Sequence, residues 1–121
     1  MDVYSETRPW GSFEKFHENK SCTVKLIYIN PNSRLSLQYH EKRSEFWKIV
    51  YGRAHLQIDD KSFVLSEGQS IEIPNKARHR VEAKETKCVI LEISYGTFDE
   101  NDIVRLDDDY KRKTPPPSAG R

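Results

Sequence analysis

The first feature of the chain that suggests chemistry is an amide, an imidazole and a carboxylate in close succession. Gln38 and His40 lie two residues apart, and Glu45 follows five residues later. A second imidazole, His79, comes just after a turn that begins at Pro74. Nitrogen and oxygen ligands of these kinds suit a divalent metal ion such as Zn, Mn, Fe, Co or Ni. If these four side chains converge, they would hold one such ion and leave coordination positions open for a substrate.

The residues around the first group alternate between polar and apolar side chains. Over positions 34–40, Arg34, Ser36, Gln38 and His40 occupy the polar positions, and leucines and a tyrosine occupy the others. A period of two is typical of a β-strand with one polar and one apolar face. We therefore expect Gln38 and His40 to point to the same side of a strand.

Similar segments recur roughly every ten residues and are separated by turn residues. We predict strands at 22–29, 34–40, 45–51, 53–58, 62–65, 69–73, 78–82 and 87–94. This spacing, without alternating helices, indicates an all-β sandwich or barrel. Residues 99–105 are expected to form one helical turn with Asp99 as its N-cap. We predict one domain over 1–112, including an ordered N-terminal arm, and a disordered tail at 113–121.

The composition indicates a well-solvated exterior without a strong charge bias. Of 121 residues, 36% are hydrophobic and 32% are charged, and the formal net charge is +1. This balance gives no reason to expect nucleic-acid binding, and no apolar run approaches the ~18 residues of a membrane span. The first residues lack the apolar core of a signal peptide. We therefore expect a cytoplasmic protein that binds neither nucleic acid nor a membrane.

The first group of candidate ligands resembles a motif of the cupin superfamily. That motif runs glycine, five residues, His-x-His, three or four residues, Glu, six residues, glycine. Here Gln38, His40, Glu45 and Gly52 follow the spacing, with Gln38 in place of the first histidine and Asn32 in place of the leading glycine. The resemblance implies a single-domain cupin, which is a double-stranded β-helix or jelly-roll barrel.

The second group resembles the second cupin motif. That motif runs glycine, five residues, Pro-x-Gly, two residues, His, three residues, Asn. Gly68, Pro74 and His79 follow this spacing, whereas Lys76 replaces the inner glycine and Ala83 replaces the final asparagine.

A more specific resemblance, to the type II mannose-6-phosphate isomerase cupin, covers roughly residues 8–112. The peptides that carry it, in chain order, are Arg8-Pro9-Trp10-Gly11, Leu35-Ser36-Leu37-Gln38-Tyr39-His40, Arg43-Ser44-Glu45-Phe46-Trp47, Ile73-Pro74, His79-Arg80-Val81, Leu91-Glu92-Ile93 and Glu100-Asn101-Asp102-Ile103-Val104-Arg105. In bacteria this module is usually the C-terminal part of a bifunctional mannose-1-phosphate guanylyltransferase/mannose-6-phosphate isomerase. No glycine-rich nucleotide-binding loop precedes the cupin here, so guanylyl transfer is not expected. In this family a glutamine is usual at Gln38, whereas Lys42 and Ser94 replace a usual histidine and glutamine.

The resemblance implies a metal-dependent aldose–ketose isomerase that interconverts mannose 6-phosphate and fructose 6-phosphate through an enediol. Lys25 and Glu92 each interrupt an apolar strand, so they are the candidate acid/base pair, with a structural ion pair as the alternative. Arginine suits bidentate phosphate binding. The candidates for substrate binding are Arg34, Arg105, Ser36 and Arg43.

Two other functional classes stay open. A metal- or sugar-binding cupin without turnover is favoured by the departures at Lys42 and Ser94. A different cupin enzyme, such as a dioxygenase, is disfavoured by Gln38, because oxygenases commonly use histidine-rich iron sites. We also expect a homodimer, because cupins often pair through sheet edges.

Overall fold

The structure, a computed structural model, describes residues 3–112 and has the all-β architecture that the sequence predicts. Its strands are β1 (Tyr4–Arg8), β2 (Gly11–Lys15), β3 (Thr23–Ile29), β4 (Ser33–Arg34), β5 (Leu37–Tyr39), β6 (Arg43–Tyr51), β7 (Arg53–Ile58), β8 (Lys61–Ser66), β9 (Ser70–Ile73), β10 (His79–Ala83), β11 (Cys88–Gly96) and β12 (Val104–Asp107). In this described part, no helix is long and apolar enough to cross a membrane. The predicted tail at 113–121 lies outside it.

Two antiparallel sheets pack against each other around a shared core. The smaller sheet has the order β3-β11-β6-β9, and the larger has the order β12-β5-β10-β7-β8, with β4 also paired to β10. Burying apolar side chains between two sheets is the main source of stability in such a fold. The core contains residues of both sheets, including Trp47, Ile49 and Ile90 from the smaller one and Leu56 and Val81 from the larger one.

Strands β6 and β11 divide the barrel interior into an apolar end and a polar end. Three successive register pairs point inward: Ile49 with Ile90, Trp47 with Glu92, and Glu45 with Ser94. Because side chains alternate along a strand, each step of two residues moves along the same inner face. The inner face thus changes from hydrocarbon to polar groups at one end of the barrel, and the candidate ligands lie at that end.

The N-terminal arm is a β-hairpin formed by β1 and β2. It packs on the outer face of the smaller sheet, where the rings of Phe16 and Phe46 lie 5.8 Å apart. The ammonium of Lys48 also bonds the carboxylate of Glu14. The hairpin therefore covers apolar surface that β6 would otherwise expose.

The helical turn predicted at residues 99–105 is wrong. Asp99 caps a short turn instead, since its carboxylate accepts from the backbone N–H of Asn101 at 3.0 Å. The chain then enters β12, which pairs with β5. A free strand edge is available at β5, and pairing with it outweighs the weak local preference for a helical turn.

The strand predicted at 34–40 is interrupted between β4 and β5. Both pieces pair with β10, so the chain keeps its course along the sheet. Ser36, in the interruption, is fully buried.

The turns that lack the motif glycines keep the left-handed backbone that glycine favours. Asn32 and Lys76 have φ values of 56° and 69°, comparable with 78° at Gly52 and 85° at Gly68. Asparagine visits this region more readily than most residues. At Lys76 the backbone N–H donates to the carbonyl of His40 at 2.6 Å, which ties this turn to a candidate ligand. The motif geometry therefore persists at both substituted positions.

The two motif glycines that remain should differ in their tolerance of a side chain. A Cβ on Gly52 would overlap the carbonyl oxygen of Lys87, whereas nothing lies within 4 Å of a Cβ on Gly68. We expect Gly68→Ala to lower the free energy of unfolding by ~1–2 kcal/mol, the cost of a left-handed backbone. Gly52→Ala should cost at least about 2 kcal/mol more because of the clash. Urea unfolding measures both, and equal losses would contradict the role of the Lys87 carbonyl.

Candidate metal centre

Three of the four predicted ligands converge inside the polar end of the barrel. His40 follows β5, Glu45 lies on β6 and His79 begins β10. The carboxylate oxygen Oε1 of Glu45 lies 3.4 Å from Nε2 of His40 and 3.3 Å from Nε2 of His79. Each of the three residues is at most 3% exposed. Two atoms that bind one ion at about 2.1 Å are roughly 3.0–3.5 Å apart, so this spacing suits a shared divalent ion.

The hydrogen bonds around the two imidazoles prepare them as metal ligands. Nδ1 of His40 donates to the carbonyl of Asp102 at 2.6 Å, and Nδ1 of His79 donates to the carbonyl of Ala77 at 3.0 Å. A neutral imidazole that donates from Nδ1 carries its lone pair on Nε2. Nε2 of His79 and Oε1 of Glu45 are buried without a hydrogen-bond partner of good geometry. Buried polar atoms without partners fit a site that is completed by a cation.

The fourth predicted ligand, Gln38, lies beside this group. Its Nε2 is 3.4 Å from Nε2 of His40, and its Oε1 accepts a hydrogen bond from the hydroxyl of Ser36 at 2.6 Å. Its strand position is directly opposite His79. A half-turn of the terminal amide would present Oε1 to the centre and leave the amide N–H to bond Ser36. Gln38 is thus within reach of the centre, and Ser36 contacts that ligand.

Glu92 is a second buried carboxyl group next to the ligand set. It interacts with Glu45, and its Oε2 accepts from the indole N–H of Trp47 at 3.0 Å. Burial, reinforced by the neighbouring Glu45, raises the pKa of Glu92. Burial also favours a protonated Glu45, but contacts with both imidazoles and with Glu92 outweigh it and hold the pKa of Glu45 below its ordinary range. Two adjacent carboxyl groups resist ionising together, so the negative charge of Glu45 is one reason why the pKa of Glu92 is raised.

Arg43 lies beside the candidate ligands. Its guanidinium lies 3.4 Å from Nε2 of His40 and 3.9 Å from the second carboxylate oxygen of Glu45, and it donates to the carbonyl of Asp99 at 3.1 Å. It also lies 4.5 Å from the centre of the Phe98 ring. A predicted substrate-binding residue is therefore in the site itself.

The two residues of the predicted acid/base pair lie opposite each other on neighbouring strands, but the ammonium of one and the carboxyl group of the other have different hydrogen-bond partners. Lys25 and Glu92 are paired across β3 and β11. The ammonium of Lys25 bonds Glu100 at 3.0 Å and lies 4.6 Å from the centre of the Phe98 ring. The positive charge of Lys25 also acts on Glu92, where it opposes the rise in pKa. A catalytic role for this pair stays a prediction.

The remaining arginines predicted to bind substrate differ in their surroundings. Arg105 on β12 is opposite Gln38 in register and half-buried, so it lies next to the ligand set. Arg34 donates to both oxygens of Asp109, at 2.7 and 2.8 Å, and forms an ion pair on the surface. The interruption of the strand at Ser36 separates Arg34 from the polar face that the sequence assigned to it.

Asp102 and Phe98 help to hold the site together but had no assigned role in it from the sequence, whereas the sequence indicates Trp47 only as a candidate wall of the pocket. Asp102 bonds a ligand through its carbonyl, and its carboxylate accepts from the backbone N–H groups of Glu41 and Lys42 at 3.0 and 2.9 Å. Trp47 donates to Glu92, and Phe98 contacts two cations. Asp102 and Trp47 fall within the family-like peptides, whereas no spacing or composition signal points to Phe98.

A cleft between the N-terminal hairpin and the barrel includes Glu45 in its lining. Its volume is about 790 Å³, and Lys15, His17 and Tyr95 also line it. The rings of His17 and Tyr95 are 5.0 Å apart. The hairpin thus shapes a cavity next to the metal-ligand strand β6.

Comparison with known proteins identifies the family of the chain. Residues 2–108 match the model of the mannose-6-phosphate isomerase C-terminal family. The chain belongs to this family. Among its relatives, the alginate biosynthesis protein AlgA of Pseudomonas aeruginosa is 40% identical over 90% of the chain and 23% of its own length. The mannose-1-phosphate guanylyltransferase ManC of Salmonella typhimurium is 35% identical over 87% of the chain and 22% of its own length. The chain therefore spans less than a quarter of the curated relatives that it matches.

The fold of this family member is also found in solved structures. A cupin protein from Bacteroides fragilis aligns with a TM-score of 0.59 at 16% identity, over 64% of this chain and 68% of its own. At this low identity the likeness concerns the fold alone. It confirms the cupin barrel that the two sequence motifs predict.

We expect the chain to bind one divalent ion, and loss of a ligand to weaken binding at least about a hundredfold. His79→Ala removes a buried imidazole that lies in the ligand set, so calorimetric titration of the chelator-treated protein should show this loss. His55→Ala, a substitution on β7 outside the cluster, is the matched control and should leave affinity unchanged. Equal affinity in all three proteins would place the ion elsewhere.

Proposed function

We propose that the protein is a metal-dependent sugar-phosphate isomerase that interconverts mannose 6-phosphate and fructose 6-phosphate through an enediol. The observation that carries this proposal is the convergence of His40, Glu45 and His79, with Glu92 beside them, in a member of the mannose-6-phosphate isomerase C-terminal family. The relatives are much longer than this chain, so the activity of the isolated cupin is the subject of the proposal.

Four side chains would hold one divalent ion, which would be Zn, Mn, Co, Ni or Fe. His40, Glu45 and His79 supply the ligand atoms that already converge, and Gln38 would add an amide oxygen. A bound ion of this kind polarises a substrate carbonyl and stabilises the negative oxygen of an enediolate. The carbonyls of Asp102 and Ala77 keep both imidazoles in the tautomer that this ligation requires.

Glu92 is the group that we propose moves the proton between C1 and C2 of the open-chain sugar. Glu45 is committed to the metal, whereas Glu92 lies next to it in a buried environment and is oriented by Trp47. Lys25, its partner in register, would stabilise negative charge that develops during transfer. The exchange is balanced, because the proton removed from C2 is returned to C1 while the proton of the C2 hydroxyl passes to the C1 oxygen, and the reverse reaction retraces both transfers.

Arg43 and Arg105 are the side chains that best suit the phosphate group. Both lie close to the ligand set, and a guanidinium can donate two parallel hydrogen bonds to a phosphate. Arg34 remains a weaker proposal, because Asp109 already occupies its guanidinium. Ser36 would act on the substrate only through Gln38, since it is fully buried.

A non-catalytic metal- or sugar-binding module is the second candidate. Its support is the pair of departures from the isomerase pattern at Lys42 and Ser94. Ser94 is buried next to the proposed proton carrier, with its hydroxyl 3.4 Å from the carboxylate of Glu92. Serine is shorter than the glutamine that is usual at this position, so the carboxyl group of Glu92 has fewer contacts.

A cytoplasmic homodimer completes the proposal. β3 is the end strand of the smaller sheet, and its outward-facing Val24, Leu26 and Tyr28 are each more than half exposed. Apolar side chains along an unpaired sheet edge favour contact with a second copy.

Turnover decides between the two candidates. The protein would be stripped with a chelator, reloaded with Zn, Mn, Co, Ni or Fe in turn, and mixed with mannose 6-phosphate. We expect fructose 6-phosphate to form only after reloading, because the carbonyl needs an electrophile. Tight metal binding without turnover for any ion would favour the non-catalytic module.

Glu92→Gln should separate proton transfer from metal binding. The substitution keeps the shape of the side chain but removes the proton carrier, so kcat should fall by about 10²–10⁴ while metal content stays unchanged. Glu85→Gln, in an exposed loop, is the control and should keep full activity. Retained activity in Glu92→Gln would exclude Glu92 as the carrier.

A further inference from the structure

The ring of Phe98 lies against two cations, one of which, Arg43, contacts the candidate metal ligands. Its centre is 4.6 Å from the ammonium of Lys25 and 4.5 Å from the guanidinium carbon of Arg43. Both distances fall within the range of a cation–π interaction. The two cations come from different strands, β3 and β6, so the ring is a common contact that brings them to one place.

The residues that follow Phe98 complete this arrangement. The carbonyl of Asp99 accepts from Arg43 at 3.1 Å, and the carboxylate of Glu100 accepts from Lys25 at 3.0 Å. In the connection between β11 and β12, Phe98 therefore contacts both cations, and each of the next two residues contacts one of them.

An aromatic ring has a particular advantage at such a place. Two nearby positive charges repel each other, and an additional carboxylate would relieve the repulsion by neutralising them. The face of a ring attracts cations through its quadrupole without adding a negative charge, so beyond the pairing of Lys25 with Glu100 it leaves their net charge available to an anion. Arg43 is 6% exposed, so its interactions are weakly screened by water and its position matters to the site.

We propose that Phe98 is a positioning residue for the sugar phosphate, whose ring holds the ammonium of Lys25 and the guanidinium of Arg43 where the anionic substrate binds. This inference rests on the proposed function in one respect, because the substrate class is a sugar phosphate. It adds a determinant of substrate affinity outside the metal ligands and the proton carrier. A leucine would fill similar space but would remove the ring contact from both cations, which would leave Lys25 bonded to Glu100 and Arg43 bonded to the carbonyl of Asp99.

Binding of a sugar phosphate that cannot isomerise tests this role independently of turnover. Mannitol 1-phosphate would be titrated calorimetrically into protein loaded with the ion that supports turnover, or with Zn if none does. Phe98→Leu should raise the Kd about fivefold to thirtyfold, as expected for the loss of two partly screened cation–ring contacts. Phe98→Tyr keeps a ring face and should stay within about twofold of the unsubstituted protein.

Two controls separate positioning from folding. Phe63→Leu, the same exchange at a partly exposed position on β8, should leave the Kd unchanged. Metal content should be the same in all the proteins. If Phe98→Leu does not fold, Phe98→Met replaces it, with the same expected loss.

Each contrary result has a distinct meaning. An unchanged Kd in Phe98→Leu would overturn the role of Phe98. A Kd that rises as much in Phe98→Tyr as in Phe98→Leu would overturn it too. Failure of the unsubstituted protein to bind mannitol 1-phosphate would overturn it as well. Binding with the expected pattern but without isomerisation of mannose 6-phosphate would support Phe98 and reject only the proposed catalysis.

Discussion

Electron-rich atoms meet inside the barrel at distances that are favourable only in the presence of positive charge. The carboxylate oxygen of Glu45 is 3.3–3.4 Å from a ring nitrogen of His40 and of His79. All three residues are buried, so water cannot weaken their repulsion if both nitrogens carry lone pairs. A divalent ion bound between these atoms would resolve this conflict. The hydrogen bonds and strand pairing at the polar end of the barrel hold the carboxylate of Glu45 and the two imidazoles at these distances.

Support for the ligands comes from backbone groups that are far away in the chain. The carbonyl of Asp102 orients His40, although the two residues are 62 positions apart. The carboxylate of Asp102 also bonds the backbone of Glu41 and Lys42, which leads into β6, the strand of Glu45. The turn at Lys76 adds a bond to the carbonyl of His40. Since these contacts fix backbone as well as side chains, hydrogen bonds of the fold itself hold the candidate ligands in place.

The same connection that carries Asp102 also links the metal centre to the candidate substrate groups. Phe98 and Glu100 contact Lys25, and Phe98 and Asp99 contact Arg43. The segment that was expected to be a helical turn is instead an irregular connection that continues into β12. Helical propensity is a local quantity, whereas this segment follows strand pairing and contacts with cations from distant strands.

The sequence by itself determined the repeating strands, the cupin motifs and the identities of the candidate ligands. These features are encoded locally, through a period of two and through fixed numbers of residues between motif positions. The tertiary structure alone decided where the long charged side chains point. Lys25 lies opposite Glu92 in the register of the sheet, yet its ammonium bonds Glu100, 75 residues away. Arg34 has the spacing of a site residue, yet it pairs with Asp109. Register follows from the pattern of each strand, but a flexible side chain selects its partner only after the barrel has closed.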